Sequence, residues 1–298
     1  MVAFTFAPMI LSKASSVSLA SGPNTGLTAA LHTRMSMPPH CLIVPSTSAS
    51  TSLRRDTLHG MTIASPPFSL MLAATASSRC SLGYGGKTSA KRSPQQSETA
   101  RFWLMVGPPA YHPFVRQLVT AKQMSVGDSA RLMALAAVGL NEALIAVFDA
   151  KYHYNFWRPI TSIRNGDIDS NPATDREATW QPIDNTPMHP EYPCAHCILS
   201  GSISGVIKAV LGTEDVPEIA ITSPAAPGVT HRFTNLTAFT EEVANARIWA
   251  GFHYRFSTRV GTDMGRQIGE YVVKNVMQPA VTAEPQQLPR QGLVPVGR

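Results

Sequence analysis

The sequence predicts an all-α fold, a bundle of roughly five or six helices behind a long extension without pattern. Three observations carry that expectation. Apolar residues make up 44% of the 298-residue chain, enough for a substantial core, while aromatic residues are an ordinary 7%. From Ser97 onward, apolar residues recur at helical spacing in stretches bounded by capping residues, glycines and prolines. No stretch alternates strongly enough to predict a strand.

Residues 1–96 are rich in Ser, Thr, Ala and Pro and show neither helical nor strand periodicity. They suit a disordered extension, a segment foreign to the native coding sequence, or an organelle transit peptide, which shares the Ser/Arg-rich, acid-poor composition. A secretory signal fits less well, because no basic residue precedes the apolar part of "MVAFTFAPMILSK". The folded domain is expected over residues 97–280, with a polar tail over 281–298.

Within that domain, Ser97 followed by Glu98 reads as the cap and first turn of a helix through "ARFWLMV". A long helix is expected from about Asp128, running through "ALAAVGLNEALIAVFDAKYHYNFW" until Pro159 stops it. Four prolines between Pro182 and Pro193 mark an irregular loop. A helix of small residues follows over about Cys197–Leu211, closed by Gly212. A Pro/Gly-rich loop is expected through Val229. Thr240 with two first-turn glutamates opens the next helix, and "TDMGRQIGEYVVKNVM" forms the last.

The net charge of +6 belongs to the extension: residues 1–97 hold eight Lys/Arg against one acid, Asp56, and the remainder is close to neutral. Nothing therefore predicts nucleic-acid binding by the folded part. No run of eighteen uncharged apolar residues appears, so no membrane span is expected. Four cysteines in a chain this long make no disulfide framework.

Several residues could carry chemistry. Lys151 and Arg158 stand seven apart, two helical turns, and so would share a face. Such a face is usually just solvated, but here it lies among Tyr152, Tyr154, Phe156 and Trp157, and buried cations require an anion. Arg247 and His253 are six apart and would not share a face unless the helix loosens near Gly251. A lone histidine near a helix end is more often a packed or capping residue. His196 follows a proline-rich loop at a helix start, where backbone N–H groups favour an anion. Three cations and two imidazoles together suit a tetrahedral oxyanion.

Three stretches in order, "KYHYNFWRP", "PEYPCAH" and "ARIWAGFH", resemble the three motifs of the acid phosphatase and vanadium haloperoxidase superfamily: Lys-x6-Arg-Pro, Pro-Ser-Gly-His and Arg-x5-His. The neighbouring "FWRPITSIRNGDIDSN", "TPMHPEYP" and "VGTDMGRQIG" are similar to soluble bacterial haloperoxidase-like proteins, and the resemblance covers about residues 97–280. It implies the helical bundle of that superfamily. Lys151, Arg158 and Arg247 would then hold the oxygens of vanadate, or of phosphate in the phosphatase version, with Cys194 and Ala195 beside them. His253 would be the vanadium ligand or the phosphorylated nucleophile, and His196 the acid/base catalyst. The implied partners are hydrogen peroxide and halide, or a small phosphomonoester, and the chain could pair with a second copy. The resemblance suggests a soluble, periplasmic or secreted protein, though compartment is not read from these residues.

Cys194 and Ala195 occupy the family's Ser and Gly positions. A thiol is a weak donor where a hydroxyl is a firm one, and Ala at that place requires a negative φ. Ser257 stands where the phosphatase version carries an aspartate that orients the histidine. The missing aspartate weakens the phosphatase version more than the haloperoxidase one. An acid phosphatase and a catalytically impaired oxyanion-binding relative are the alternatives, the second supported by Cys194 and Ala195. A thiol-redox or zinc protein built on Cys194 and Cys197 lacks a βαβ context and a second ligand pair.

Overall fold

The structure is a computed structural model that describes residues 85–168 and 174–278. The expectations for residues 1–84 and for the polar tail after 281 lie outside the described residues. The fold is mainly helical, as its sequence predicts.

Helix α1 (Pro94–Phe102) starts ahead of the expected Ser97. Ser93 is the cap, and its hydroxyl accepts from Gln96 N at 3.1 Å while the Gln96 side chain accepts from Ser93 N at 3.0 Å. Residues before the helix already pack: the Arg92 guanidinium donates to the carbonyls of Gly86 and Trp249, both at 3.0 Å.

Helix α2 (Pro108–Ala121) was not expected, because Pro108, Pro109 and Pro113 hide it. Proline at the first helical positions loses no hydrogen bond, and only Pro113 removes one. Its apolar face, Ala110, Tyr111, Phe114, Val115 and Leu118, is fully buried.

Helix α3 (Val126–Tyr154) is capped by Ser125 and ends at Asn155, whose φ of 47° is left-handed. It therefore stops well before Pro159, and α4 (Pro159–Arg164) is a separate short helix. The stretch Val126–Arg164 is long and apolar enough to cross a membrane by length and composition alone, although Asn141 and Glu142 interrupt it, so no uninterrupted apolar run of eighteen is present in it. Its inner face, including Leu132, Leu135, Leu140 and Val147, lies in the bundle core, as expected of a central helix.

Helix α5 (Ala195–Leu211) is closed by Gly212 at φ 73°, as expected. The region read as a loop through Val229 is instead a β-hairpin, β1 (Asp215–Ser223) paired antiparallel with β2 (Ala226–Asn235). Alternation is present over Ile219, Ile221 and Ser223, all buried, but a register shift ahead of Ile219 breaks it and Pro217, Pro224 and Pro227 mask it. The outer edge of β1 is blocked by the Gln117 amide of α2, which bonds Ala220 O at 2.7 Å and Ala220 N at 3.0 Å.

Helix α6 (Leu236–Trp249) starts four residues before the expected Thr240 because Asn235 caps it, accepting from Thr237 N and Ala238 N. Helix α7 (Arg255–Asn275) follows. α5 and α7 meet backbone to backbone: a Cβ at Gly261 would stand 2.6 Å from the Cys194 carbonyl, and Gly201 and Gly205 allow the same approach from α5. That contact fixes the first turn of α5.

Candidate active site

The predicted cations do converge, but not by the route their spacing suggested. Lys151 lies in the last turn of α3, whereas Arg158 is the N-cap of α4, beyond the break at Asn155. They share a site because the chain turns between them, not because they share a helical face. Arg247 lies in the last turn of α6, and His253 in the connection to α7, past Gly251 at φ 78°. The loosening at Gly251 that would bring Arg247 and His253 to one site is thus present. A side chain at Gly251 would strike the Gly85 carbonyl, at 2.6 Å, so only glycine fits there.

All three cations are buried, and each donates to at least one backbone carbonyl. Lys151 Nζ donates to Pro190 O at 2.9 Å and Glu191 O at 2.8 Å. Arg158 donates from Nε to His189 O at 3.0 Å and from Nη1 to Phe252 O at 2.9 Å. Arg247 donates from Nη1 to Trp103 O at 2.8 Å and stacks on Phe252, while its Nε has no partner. Among the described residues, none of the three forms a salt bridge with a carboxylate. Burial, with Arg158 beside it, pulls the Lys151 ammonium well below its ordinary value. Burial also brings Arg158 down, to about 10.

His253 is fixed at both nitrogens. Its Nδ1 lies 2.8 Å from Glu191 Oε1, and its Nε2 lies 3.1 Å from Arg158 Nη1. A guanidinium can only donate, so Nε2 holds the lone pair and Nδ1 carries the proton towards the carboxylate. That tautomer leaves Nε2 as the ligating or nucleophilic atom. Burial, reinforced by Arg158, Lys151 and Arg247, keeps the ring neutral.

Glu191 is the site residue that sequence reading missed. It is fully buried, and Oε1 also accepts from Tyr254 N at 3.0 Å, while Oε2 has no partner. Burial raises its carboxyl against the opposing pull of Arg158 and Lys151. It supplies the carboxylate to His253 that Ser257 cannot; the Ser257 hydroxyl is buried without a partner. The available signal was weak: Glu191 is one of two acids, with Asp184, in the proline-rich loop between Pro182 and Pro193. His189 was also missed: its Nδ1 lies 3.2 Å from Arg158 Nη2, and burial with the nearby cations lowers its ring to about 4.

His196 occupies the first turn of α5 and is 8% exposed. Its Nε2 lies 3.1 Å from Met105 O, so Nε2 carries the proton and Nδ1 keeps a lone pair. Burial and the charges of Arg247, Arg158 and Lys151 hold the ring neutral. Cys194 caps α5, its Sγ accepting from Cys197 N at 3.4 Å. Ala195 is helical with negative φ, so the Gly→Ala difference carries no strain. An aromatic wall of Phe156, Tyr192, Tyr254 and Phe256 backs the site, with the Tyr254 hydroxyl 2.7 Å from Ser162 Oγ.

The donor set fits a tetrahedral oxyanion: buried cations bonded to no carboxylate, an orphaned Arg247 Nε, an orphaned Ser257 Oγ and an imidazole whose Nε2 lone pair meets only a guanidinium. Among the described residues no cluster of His, Cys, Asp and Glu suits a bare metal cation.

Residues 131–281 match the family model described as the VCPO second helical-bundle domain. The chain is 26% identical to the vanadium chloroperoxidase of Curvularia inaequalis over 250 residues, covering 62% of this chain and 40% of that protein. It resembles the crystal structure of the first bacterial vanadium-dependent iodoperoxidase, with a TM-score of 0.56, 25% identity, and coverage of 70% of this chain and 48% of that one. A bacterial vanadium-dependent chloroperoxidase in its holo form shares the fold at a TM-score of 0.56 and 19% identity, with 72% of this chain and 50% of that one covered. The chain thus spans half or less of the length of these relatives. On the match across residues 131–281, the chain belongs to the vanadium haloperoxidase family, by a domain of the second helical-bundle type.

Proposed function

We propose that the chain binds vanadate at this site and uses it to oxidise halide with hydrogen peroxide. The observation that carries the reading is the trio Lys151, Arg158 and Arg247, buried and bonded to backbone carbonyls and, for Arg158, to the neutral rings of His189 and His253, with no carboxylate bonded to any of the three among the described residues. Carbonyls satisfy the cations' hydrogen bonds but leave their charge uncancelled, and a buried uncancelled charge is costly until an anion arrives. Vanadate, when bound, would supply a Lewis-acid centre that activates peroxide.

The chain's own residues have distinct tasks. His253 Nε2 would ligate the vanadium, with Glu191 holding Nδ1 so that the lone pair stays aimed. Arg158 Nη1 already rests on that lone pair at 3.1 Å, so it would move onto an anion oxygen as the ligand forms. Lys151 and Arg247 would hold further oxygens and withdraw charge from them. His196 is kept neutral and presents Nδ1 as the atom that takes and returns a proton.

Hydrolysis of a phosphomonoester is a second reading, and one observation favours it. A phosphatase of this superfamily needs a carboxylate behind its nucleophilic histidine, and Glu191 stands there at 2.8 Å. One experiment separates the two. Purified protein is titrated with vanadate and assayed for bromide- and iodide-dependent halogenation of a phenol, and separately for hydrolysis of a generic phosphomonoester. Halogenation that appears with vanadate supports the first reading. Hydrolysis that vanadate abolishes supports the second, and absence of halogenation with every halide overturns the first.

A further inference from the structure

We propose that Cys194 and Cys197 form a peroxide-oxidised dithiol, a modification site at the head of α5 that closes to a disulfide. This goes beyond the oxyanion reading and needs no oxyanion to operate.

The geometry places the two sulfurs together. Cys194 is the N-cap of α5, with extended backbone at φ −69° and ψ 117°, and Cys197 is the third helical residue. Residues three apart meet on one face of a first turn. The Cys194 side chain is folded over that turn, its Sγ accepting from Cys197 N at 3.4 Å, against the residue that carries the second thiol. Both are free thiols, fully buried. A cross-link between them requires rotation of side chains and no displacement of the helix. The close α5–α7 contact at Gly261 holds the Cys194 backbone in place while that happens.

The two sulfurs are also electrostatically unequal, as an attacking and a resolving thiol must be. Burial alone would push the Cys194 thiol up, but hydrogen bonds from Cys197 and the charges of Arg247 and Lys151 outweigh it and bring the thiol below its ordinary value. Burial and the Cys194 sulfur push Cys197 well above its own. Cys194 is therefore the nucleophile and Cys197 the reserve.

The chemistry balances with hydrogen peroxide as the oxidant. Cys194 Sγ attacks one peroxide oxygen; an S–O bond forms, the O–O bond breaks, and the departing hydroxide takes the thiol's proton to leave as water. Cys194 is now a sulfenic acid, oxidised by two electrons. Cys197 Sγ attacks that sulfur; the S–S bond forms, the S–O bond breaks, and the hydroxyl leaves with the Cys197 proton as a second water. Two thiols and one peroxide become one disulfide and two waters. Peroxide is close to water in size, and the site beside Arg247 is where the proposed reaction would bring it.

The test uses the whole chain, without vanadate or halide, so its outcome is independent of the haloperoxidase reading. Protein is treated with hydrogen peroxide beside free glutathione, then denatured, alkylated and digested with trypsin. Cys194 and Cys197 fall in one peptide, residues 177–208, away from the other two cysteines. The expected result is that peptide without alkyl groups and about 2 Da lighter than its unalkylated dithiol form, with both thiols alkylated again once dithiothreitol is added first. In C197S the product is instead a sulfenic acid on Cys194, trapped by a dimedone reagent, and in C194S Cys197 stays a thiol. The wild-type measurement stands even if a variant fails to fold. The proposal is overturned if both thiols survive peroxide that consumes the glutathione. It is equally overturned if Cys197 oxidises unaided in C194S, or if Cys194 goes to sulfinic acid with no disulfide.

Discussion

Glu191→Gln isolates what the carboxylate does for His253. Oε1 accepts from His253 Nδ1 at 2.8 Å and from the Tyr254 amide at 3.0 Å, both buried. Glutamine keeps a carbonyl oxygen at that position, so both donors stay satisfied, and its amide nitrogen takes the place of Oε2, which has no partner. The fold should therefore change little. Alanine is the contrasting case: two buried donors lose their acceptor at about 1–3 kcal/mol each, or about 2–6 kcal/mol together. What Gln removes is charge behind the imidazole. Carboxylates placed behind a ligating histidine change metal affinity by about 10–100-fold, equivalent to roughly 1.4–2.8 kcal/mol. Vanadate binding followed by calorimetry should weaken by that factor in E191Q while its melting temperature stays near wild type. Two results would refute the reasoning: E191Q binding vanadate as tightly as wild type, or E191Q melting as early as E191A.

Four further outcomes are expected. Cys194→Ser converts a weak N-cap into a good one and places a firm donor at the site, so melting should rise by up to about 1 kcal/mol equivalent with tighter vanadate binding. Adding Ala195→Gly should bring no further affinity and cost roughly 0.5–1 kcal/mol, because Ala195 is already helical; a gain confined to the double variant would contradict this. Gly261→Ala would drive a methyl against the Cys194 carbonyl, at 2.6 Å, costing about 1–3 kcal/mol in denaturant titration and loosening the site helix. His189, His196 and His253 have ring values below ordinary, so their stabilisation is present above about pH 6.5 and is lost as pH falls through the folded values, about 4 for His189. Glu191, raised, acts in the opposite direction and gains stability as pH falls. With three groups against one, the melting temperature should drop on acidification below pH 6.5, and more steeply in E191Q; a flat profile to pH 4 would show that the rings are not held neutral.

What could be read from the sequence was local. Ser, Asn and Gly caps act within four residues, so the helices could be placed and their ends were off by a few positions. Proline misled twice. In α2 it sits mainly in the first turn, where it costs almost nothing, and in the hairpin it sits near strand ends. The first was left unassigned and the second read as loop, because a proline's cost depends on its place in an element not yet known. The three motifs carried the site residues because each motif keeps its own members close. Glu191 and His253 are 62 positions apart, and nothing in either neighbourhood announces the pair. Burial made the partnership, and burial is a property of the packed fold.

The site groups that the three motifs name stand at or beside the ends of helices. Lys151 and Arg247 are in last turns, Arg158 is a cap, His196 is in a first turn, and His253 lies between two helices. Mid-helix carbonyls are already taken by the helix's own ladder, whereas connecting segments and ends have carbonyls to spare. Pro190, Glu191, His189, Phe252 and Trp103 lend theirs to the three cations. Had carboxylates done this instead, each cation would be neutralised and little field would remain for an anion. Carbonyls meet the demand for hydrogen bonds and leave most of the charge in place. One carboxylate, Glu191, enters the cluster, and its Oε1 is directed at an imidazole and a backbone amide, not at the cations. The arrangement thus separates two requirements that usually conflict, keeping cations buried and keeping them electrostatically available. That separation is the physical basis for reading the cluster as an oxyanion site.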